Sequence, residues 1–548
     1  MEIGWGELDY ASERFFRNEA DLRKLLRECM HARLRPLILL NAHHGHPVPA
    51  EIFEARTAAA APKGVRSVEL ASTFGVRPNL TGLCDLGDQG IMAEFLVTRI
   101  QGQSLTLSKA LPRALRSGET LRLATLRYVP FSVRGSAEYE KTMSGWLRYV
   151  DMVGELAGSI LGSLNGSDQG FDLEIWNELT FGSAFLSLNN YRSAELQQPR
   201  PDPGVIWDDI VQRTARHVTA NPRRFAGVAL SNGFASTIPW TAASLQPARV
   251  SAISKHPYPP SKHFPDEEQS GTALGGDGQH TSYVPTYDVF FPEYLATAIQ
   301  TETLWRDLST ESNPIYETMH GRLARKSDTG AVLPVDVWIT EIGVDPTEHG
   351  WTEPGRAEWL RQRFCLRAMI FFLGIGAARV YLFTAFGGPH QLLGQEPSSL
   401  MSPTLRTLSR ANAVISHDHR RDVPVRNLGI EYFPGDATLE VFPGNHHPAT
   451  PPLRASDCLT VLPFQSSTHR FVLAYYIMTR DIRTKLPPQQ MRLRITGLAG
   501  ISVAVTATDP IGGGSPHLAV LDRSVDGIVL SVMVTDTPCL LILNEAPV

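Results

Sequence analysis

The chain is poor in the features that mark a disulfide scaffold, a membrane protein or a nucleic-acid binder. Its 548 residues include only five cysteines: Cys29, Cys84, Cys365, Cys458 and Cys539. They lie far apart and in odd number, without the spacing of a zinc site or a disulfide framework. That points to a reducing compartment or to a few inert buried thiols. No apolar run reaches the length needed to span a bilayer. The 51 lysines and arginines are outnumbered by 56 aspartates and glutamates, giving a net charge of −5 and a pI of about 6.4. No basic field is therefore expected to hold nucleic acid or an anionic membrane. Residues Met1 to Tyr10 lack the basic lead and apolar core of a signal peptide. A cytoplasmic location is expected of the chain as it stands, and a secreted one if the natural N-terminus is longer.

What the chain does contain is an ordinary globular mixture, 43% hydrophobic and 20% charged, with apolar material for more than one core. From about residue 20 to 385, strand-like and helical runs alternate. Glu19 to Arg33 carries Leu22, Leu25, Leu26 and Cys29 at helical spacing, and Pro36 to Asn41 then reads as a buried strand. Tyr139 to Leu164 is helical and is followed by the strand run Phe171 to Glu178. Further strands are expected at Phe225–Leu230, Val250–His256, Val335–Glu341 and Ala378–Thr384, separated by helical stretches. This alternation predicts an α/β fold, a (β/α)8 TIM-type barrel. Seven strands are counted if Glu2 to Trp5 is the second of eight, so the first β/α unit is expected to be missing at the N-terminus. An open sheet is the structural alternative.

Two stretches break the pattern. Residues 51–137 hold β-type runs and read as a small β module inserted into a barrel made of residues 1–50 and 138–415. Residues 416–548 contain short strands between Pro, Gly, Asn and Asp turns, with no helix among them, and predict a C-terminal all-β sandwich.

Glu178 and Glu341 carry the chemical signal. Each closes an apolar strand run, Glu174-Ile175-Trp176-Asn177-Glu178 and Val337-Trp338-Ile339-Thr340-Glu341. In a parallel barrel the strand ends share one face, where the active sites of such folds lie. Two carboxyl groups about 5 Å apart on that face are the equipment for cleaving a glycosidic bond with retention, one as acid/base and the other as nucleophile. Asn177 can hydrogen-bond the sugar 2-hydroxyl, an interaction that strengthens in the transition state. Asn41 and His43, at the exit of the Pro36–Asn41 strand, are expected to line the sugar pocket, with Trp5 at the exit of the first strand. The cluster His43, His44 and His46 lacks zinc spacing and an acidic partner, so no metal and no cofactor are expected. Trp351 is either a stacking platform for sugar or a packing residue.

The strings Glu174 to Glu178 and Ile339 to Glu341 resemble the acid/base and nucleophile strands of glycoside hydrolase clan A, especially family 39. His256-Pro257-Tyr258 resembles the clan's His-x-Tyr element, and Thr535 to Leu541 resembles a closing strand of attached β-sandwiches. Leu179 stands where family 39 has proline, and the clan's second-strand arginine has no counterpart. The resemblance implies that Glu178 is the acid/base and Glu341 the nucleophile. It also implies that His256 lines the site and that Tyr258 hydrogen-bonds the nucleophile. The expected substrate is an oligosaccharide, polysaccharide or glycoside, cleaved by double displacement. A transglycosidase with the same pair, or a carbohydrate-binding pseudoenzyme impaired by the short N-terminus, is the alternative.

Overall fold

A computed structural model describes residues 1–40, 46–87, 94–129, 131, 133–162, 167–177, 203–233, 245–246, 250–257, 324–326, 332–334, 336–374, 377–385, 388, 390–393, 401–415, 426–434, 459–478, 486–498 and 502–546. The molecule is mixed α/β, with a curled parallel sheet and several antiparallel sheets. Its chain divides into two compact units, Met1–Lys255 with Glu317–Thr340, and His256–Tyr316 with Glu341–Val548.

In the first unit the chain runs through β1 (Glu2–Ile3), helix α1 (Glu19–His31) and β2 (Leu37–Leu40). All four residues of β2 are buried, as its unbroken apolar run requires of a strand covered on both faces. Helix α1 buries Leu22, Leu26 and Cys29, the stripe its periodicity predicts. Six strands follow within the next stretch: β3 (Ala50–Arg56), β4 (Ser67–Glu69), β5 (Thr81–Leu83), β6 (Phe95–Gln101), β7 (Ser104–Leu107) and β8 (Thr120–Leu126). They form one antiparallel sheet of order β3-β8-β5-β6-β7-β4. Its far part has its own core around Leu70, Leu83, Val97 and Leu105. Ala50, Cys84, Leu96, Ala124 and Leu126 instead belong to the main core of the unit.

Helix α2 (Ala137–Leu161) opens with Ser136 as N-cap, whose hydroxyl accepts from the Tyr139 amide at 3.1 Å. After it come β9 (Asp172–Glu174), helix α3 (Pro203–Ala220), β10 (Leu230–Ser231), β11 (Leu245–Gln246), β12 (Val250–Lys255), β13 (Ala324–Lys326), β14 (Val332–Pro334) and β15 (Asp336–Ile339). Within this unit β1-β2-β9-β10-β12-β15 pair in that order, all parallel. Strands β11, β13 and β14 form a separate small sheet.

The parallel sheet is strongly curled. Strands β9 and β15 are three steps apart, roughly 14 Å if the sheet were flat. Yet the Thr340 hydroxyl, one residue beyond β15, donates to Glu174 Oε1 on β9 at 3.3 Å. Only a concave sheet lets those side chains meet.

The second unit contains β16 (Arg379–Val380), helices α4 (Pro354–Gly374) and α5 (Pro403–Ile415), and strands β17 (Gly429–Pro434), β18 (Leu459–Ser467), β19 (Arg470–Ile477), β20 (Gln489–Thr496), β21 (Ala504–Thr508), β22 (Leu518–Arg523), β23 (Gly527–Val534) and β24 (Cys539–Asn544). The last eight form two antiparallel sheets, β17-β20-β23-β22 and β18-β19-β24-β21. Both contribute to one core that includes Phe471, Leu473, Leu493, Leu530 and Leu541. In β20 the buried residues Met491, Leu493 and Ile495 alternate with the exposed Arg492 and Arg494, the period of a strand with one dry face. Tyr476 of β19 lies under the Arg367 guanidinium of α4 at 5.1 Å, and the α4 guanidinium of Arg363 pairs with Asp536 between β23 and β24.

Among the described residues no helix is long and apolar enough to cross a membrane. Cys29, Cys84, Cys365 and Cys539 are buried free thiols, and burial pushes Cys84, Cys365 and Cys539 up to about 12. Thiols held that far above neutrality are poor nucleophiles. Cys458 lies outside the described residues.

Candidate functional site

Parallel pairing brings the C-terminal ends of β9, β10, β12 and β15 to one edge of the first unit's sheet. The backbone there is closely fitted. Trp176, two residues past β9, has φ +69, a left-handed conformation that is a genuine outlier for a bulky residue. Its ring is buried and packs on Trp146 with centroids 4.9 Å apart. Gly233, two residues past β10, has φ +68, and a Cβ there would lie 2.4 Å from the Ile175 carbonyl oxygen and 2.6 Å from that of Trp176. Only glycine permits this approach. The Gly233 amide donates to Ser254 Oγ at 2.9 Å, and the Ser254 amide donates to Asn232 Oδ1 at 3.2 Å. Asn177, next after Trp176, is buried with 3% of its surface exposed.

Lys255 ends β12 and is also buried, and burial pushes its ammonium down to about 7. Its carbonyl accepts from the Thr340 amide at 2.9 Å, so the chain just past β15 is tied to the end of β12. Glu174, fully buried, takes the Thr340 hydroxyl described above.

The next residues in the chain, His256 and Glu341, belong to the second unit and meet within it. The imidazole Nδ1 of His256 lies 3.5 Å from Glu341 Oε2, an ion pair when the ring is protonated. The two side chains are 1% and 13% exposed, so the carboxylate keeps a small open face while its neighbour is sealed. Beyond Glu341, the Ile342 carbonyl accepts from the Phe383 amide at 2.8 Å. A Cβ on Gly343 would lie 2.3 Å from the Phe383 carbonyl oxygen and 3.1 Å from His390 Nδ1. His390 is thus close beside the strand end that carries Glu341, and burial pushes its pKa down. Nothing in the sequence around His390 marked it, because its proximity comes from a fold contact.

Of the residues expected to line a site, Asn177 lies three residues past β9, His256 directly after β12 and Glu341 two residues past β15. Glu178, Tyr258, Asn41 and His43 lie outside the described residues. Trp5 lies two residues past β1. It is fully buried, with ring centroids of Tyr128 at 5.7 Å, Trp146 at 5.6 Å and Tyr149 at 6.1 Å. Trp351 stacks on Trp359 at 5.8 Å with planes 14° apart, and Arg356 sits 5.2 Å from its centroid. Trp359 in turn carries the buried Arg363 guanidinium at 4.1 Å. Trp351 thus stands at one end of a ladder of rings and guanidinium groups.

No protein-family model matches the chain, and no curated protein matches it.

Proposed function

We propose that the protein is a retaining β-glycoside hydrolase. In this reading the curled sheet is part of a (β/α)8 cylinder. Glu341 is the nucleophile and Glu178 the acid/base, with Asn177 on the sugar 2-hydroxyl. His256 and Tyr258 orient the nucleophile. The observation that carries the reading is the contact of Glu341 with His256, a nearly buried carboxylate facing an imidazole where two parallel strands end. A nucleophile must stay ionised at neutral pH, and an imidazolium or an imidazole N–H beside it favours the charged form. The order of the two strand-end glutamates and the Trp-Asn-Glu string add to it.

In the first step Glu341 attacks the anomeric carbon while the Glu178 carboxylic acid protonates the departing oxygen. In the second step Glu178, now a carboxylate, takes a proton from water, which displaces Glu341 and restores the configuration.

The test is turnover of a panel of 4-nitrophenyl β-glycosides. Glu341→Gln is expected to abolish it, and Glu178→Ala to lower it by about 10²–10⁴-fold. Azide should rescue Glu178→Ala as a β-glycosyl azide, and the first product released by the wild type should be the β-anomer. Sugar binding without turnover, unchanged in Glu341→Gln, would show a carbohydrate-binding protein instead.

A further inference from the structure

Glu174 and Thr340 are separated by 166 positions in sequence and by two intervening strands in the sheet, yet their side chains meet inside its curve. Both are buried, Glu174 with 0% and Thr340 with 3% of its surface exposed. Thr340 is held twice. Its amide donates to the Lys255 carbonyl at 2.9 Å, and its hydroxyl reaches Glu174 Oε1 at 3.3 Å and lies 3.5 Å from that same carbonyl. A β-branched residue tied at backbone and side chain has little freedom left in its torsions. The peptide bond that follows carries Glu341.

We infer that Glu174 is a positioning residue that acts through Thr340 to fix the strand end bearing Glu341. Glu174 stands four residues before Glu178 and Thr340 one before Glu341. The hydrogen bond therefore spans the two segments whose carboxylates must be held at a set separation. Displacement of a reacting group by about 1 Å can cost on the order of a hundredfold in rate. A buried cross-strand brace is a direct way to prevent it. The inference rests on the hydrolase reading, because it assigns a purpose to a fixed Glu341.

The test compares Thr340→Val, Thr340→Ser, Glu174→Gln and the Glu174→Gln/Thr340→Val double variant on the 4-nitrophenyl β-glycoside that the wild type turns over best. Thr340→Val is nearly isosteric and removes only the hydroxyl donor. It is expected to lower kcat about 10- to 100-fold with KM changed less than about threefold, in a protein with wild-type circular dichroism. Thr340→Ser, which keeps the donor, should restore most of the rate. The double variant should lose no more than the worse single variant, because both act on the Thr340–Glu174 hydrogen bond, one by removing its donor and the other by replacing its charged acceptor with a weaker neutral one. Should Glu174→Gln not fold, the Val and Ser variants carry the comparison alone. Folded Thr340→Val with kcat within about twofold of wild type, or losses that multiply in the double variant, would overturn the positioning role and leave the hydrolase reading standing. A wild type that turns over no glycoside in the panel overturns both.

Discussion

His46 shows how a single side chain can couple stability to pH. It is 5% exposed, and neither ring nitrogen has a hydrogen-bond partner among the described residues. Burial, with Arg17 and Arg122 nearby, pushes its pKa down to about 4, against about 6.5 in an unfolded chain. Above pH 6.5 the ring is neutral in both states and adds no pH dependence. As pH falls from 6.5 to 4 the unfolded chain takes up a proton that the folded chain refuses. Stability is lost over that window, up to about 3 kcal/mol in all. His46→Phe is expected to remove this component, so its urea-unfolding free energy should fall less steeply than that of wild type between those pH values. Equal slopes would show that His46 is solvated in the folded protein.

At the scale of elements, helix α4 is unusual in burying two arginines. Arg363 and Arg367 are fully buried, Arg363 against Asp536 and Trp359, Arg367 over Tyr476. Buried ion pairs cost desolvation, and their removal by halves is worse than their absence. Asp536→Ala is expected to destabilise the second unit by about 3–5 kcal/mol, because it strands the Arg363 charge. Asp536→Ala with Arg363→Met should recover much of that loss, and thermal unfolding of the two variants reads the difference. The edge of the parallel sheet has its own marker in Gly233. Gly233→Ala would meet two carbonyl oxygens and hold alanine at a positive φ. A loss of at least about 1–3 kcal/mol is expected, together with reduced turnover, since the displaced backbone is that of Ile175 and Trp176.

At the scale of the whole molecule, the residues 51–137 that interrupt the α/β alternation do not form a detached decoration. Leu126 and Leu96 lie in the same core as Trp146, Ile38 and Leu173 of the first unit. Glu13, buried and at φ +52, accepts from the Tyr128 hydroxyl at 2.8 Å and pairs with Arg127 and Arg148, binding the N-terminal segment to the end of the β module and to α2. Leu126→Ala is therefore expected to cost about 2–5 kcal/mol, and amides of β2 and β8 should lose hydrogen-exchange protection together. Loss confined to β8 would mean that the module opens independently.

The short-range patterns were legible because their cause is local. Leu22, Leu26 and Cys29 fall on one helical face, and Met491, Leu493 and Ile495 fall on one strand face, since periodicity follows from backbone geometry alone. The same holds for the strand runs ending near Asn177, His256 and Glu341. Long-range partners had no such signature. Trp5 became core because aromatic residues far along the chain enclose it, and His390 reached Gly343 through a fold contact. Glu174 met Thr340 because the sheet curls. The sequence by itself determined the α/β character, the β-rich tail and the candidate chemistry at strand ends. Which buried side chains meet was left to tertiary structure, because a contact between distant residues depends on the curvature and pairing of the elements between them.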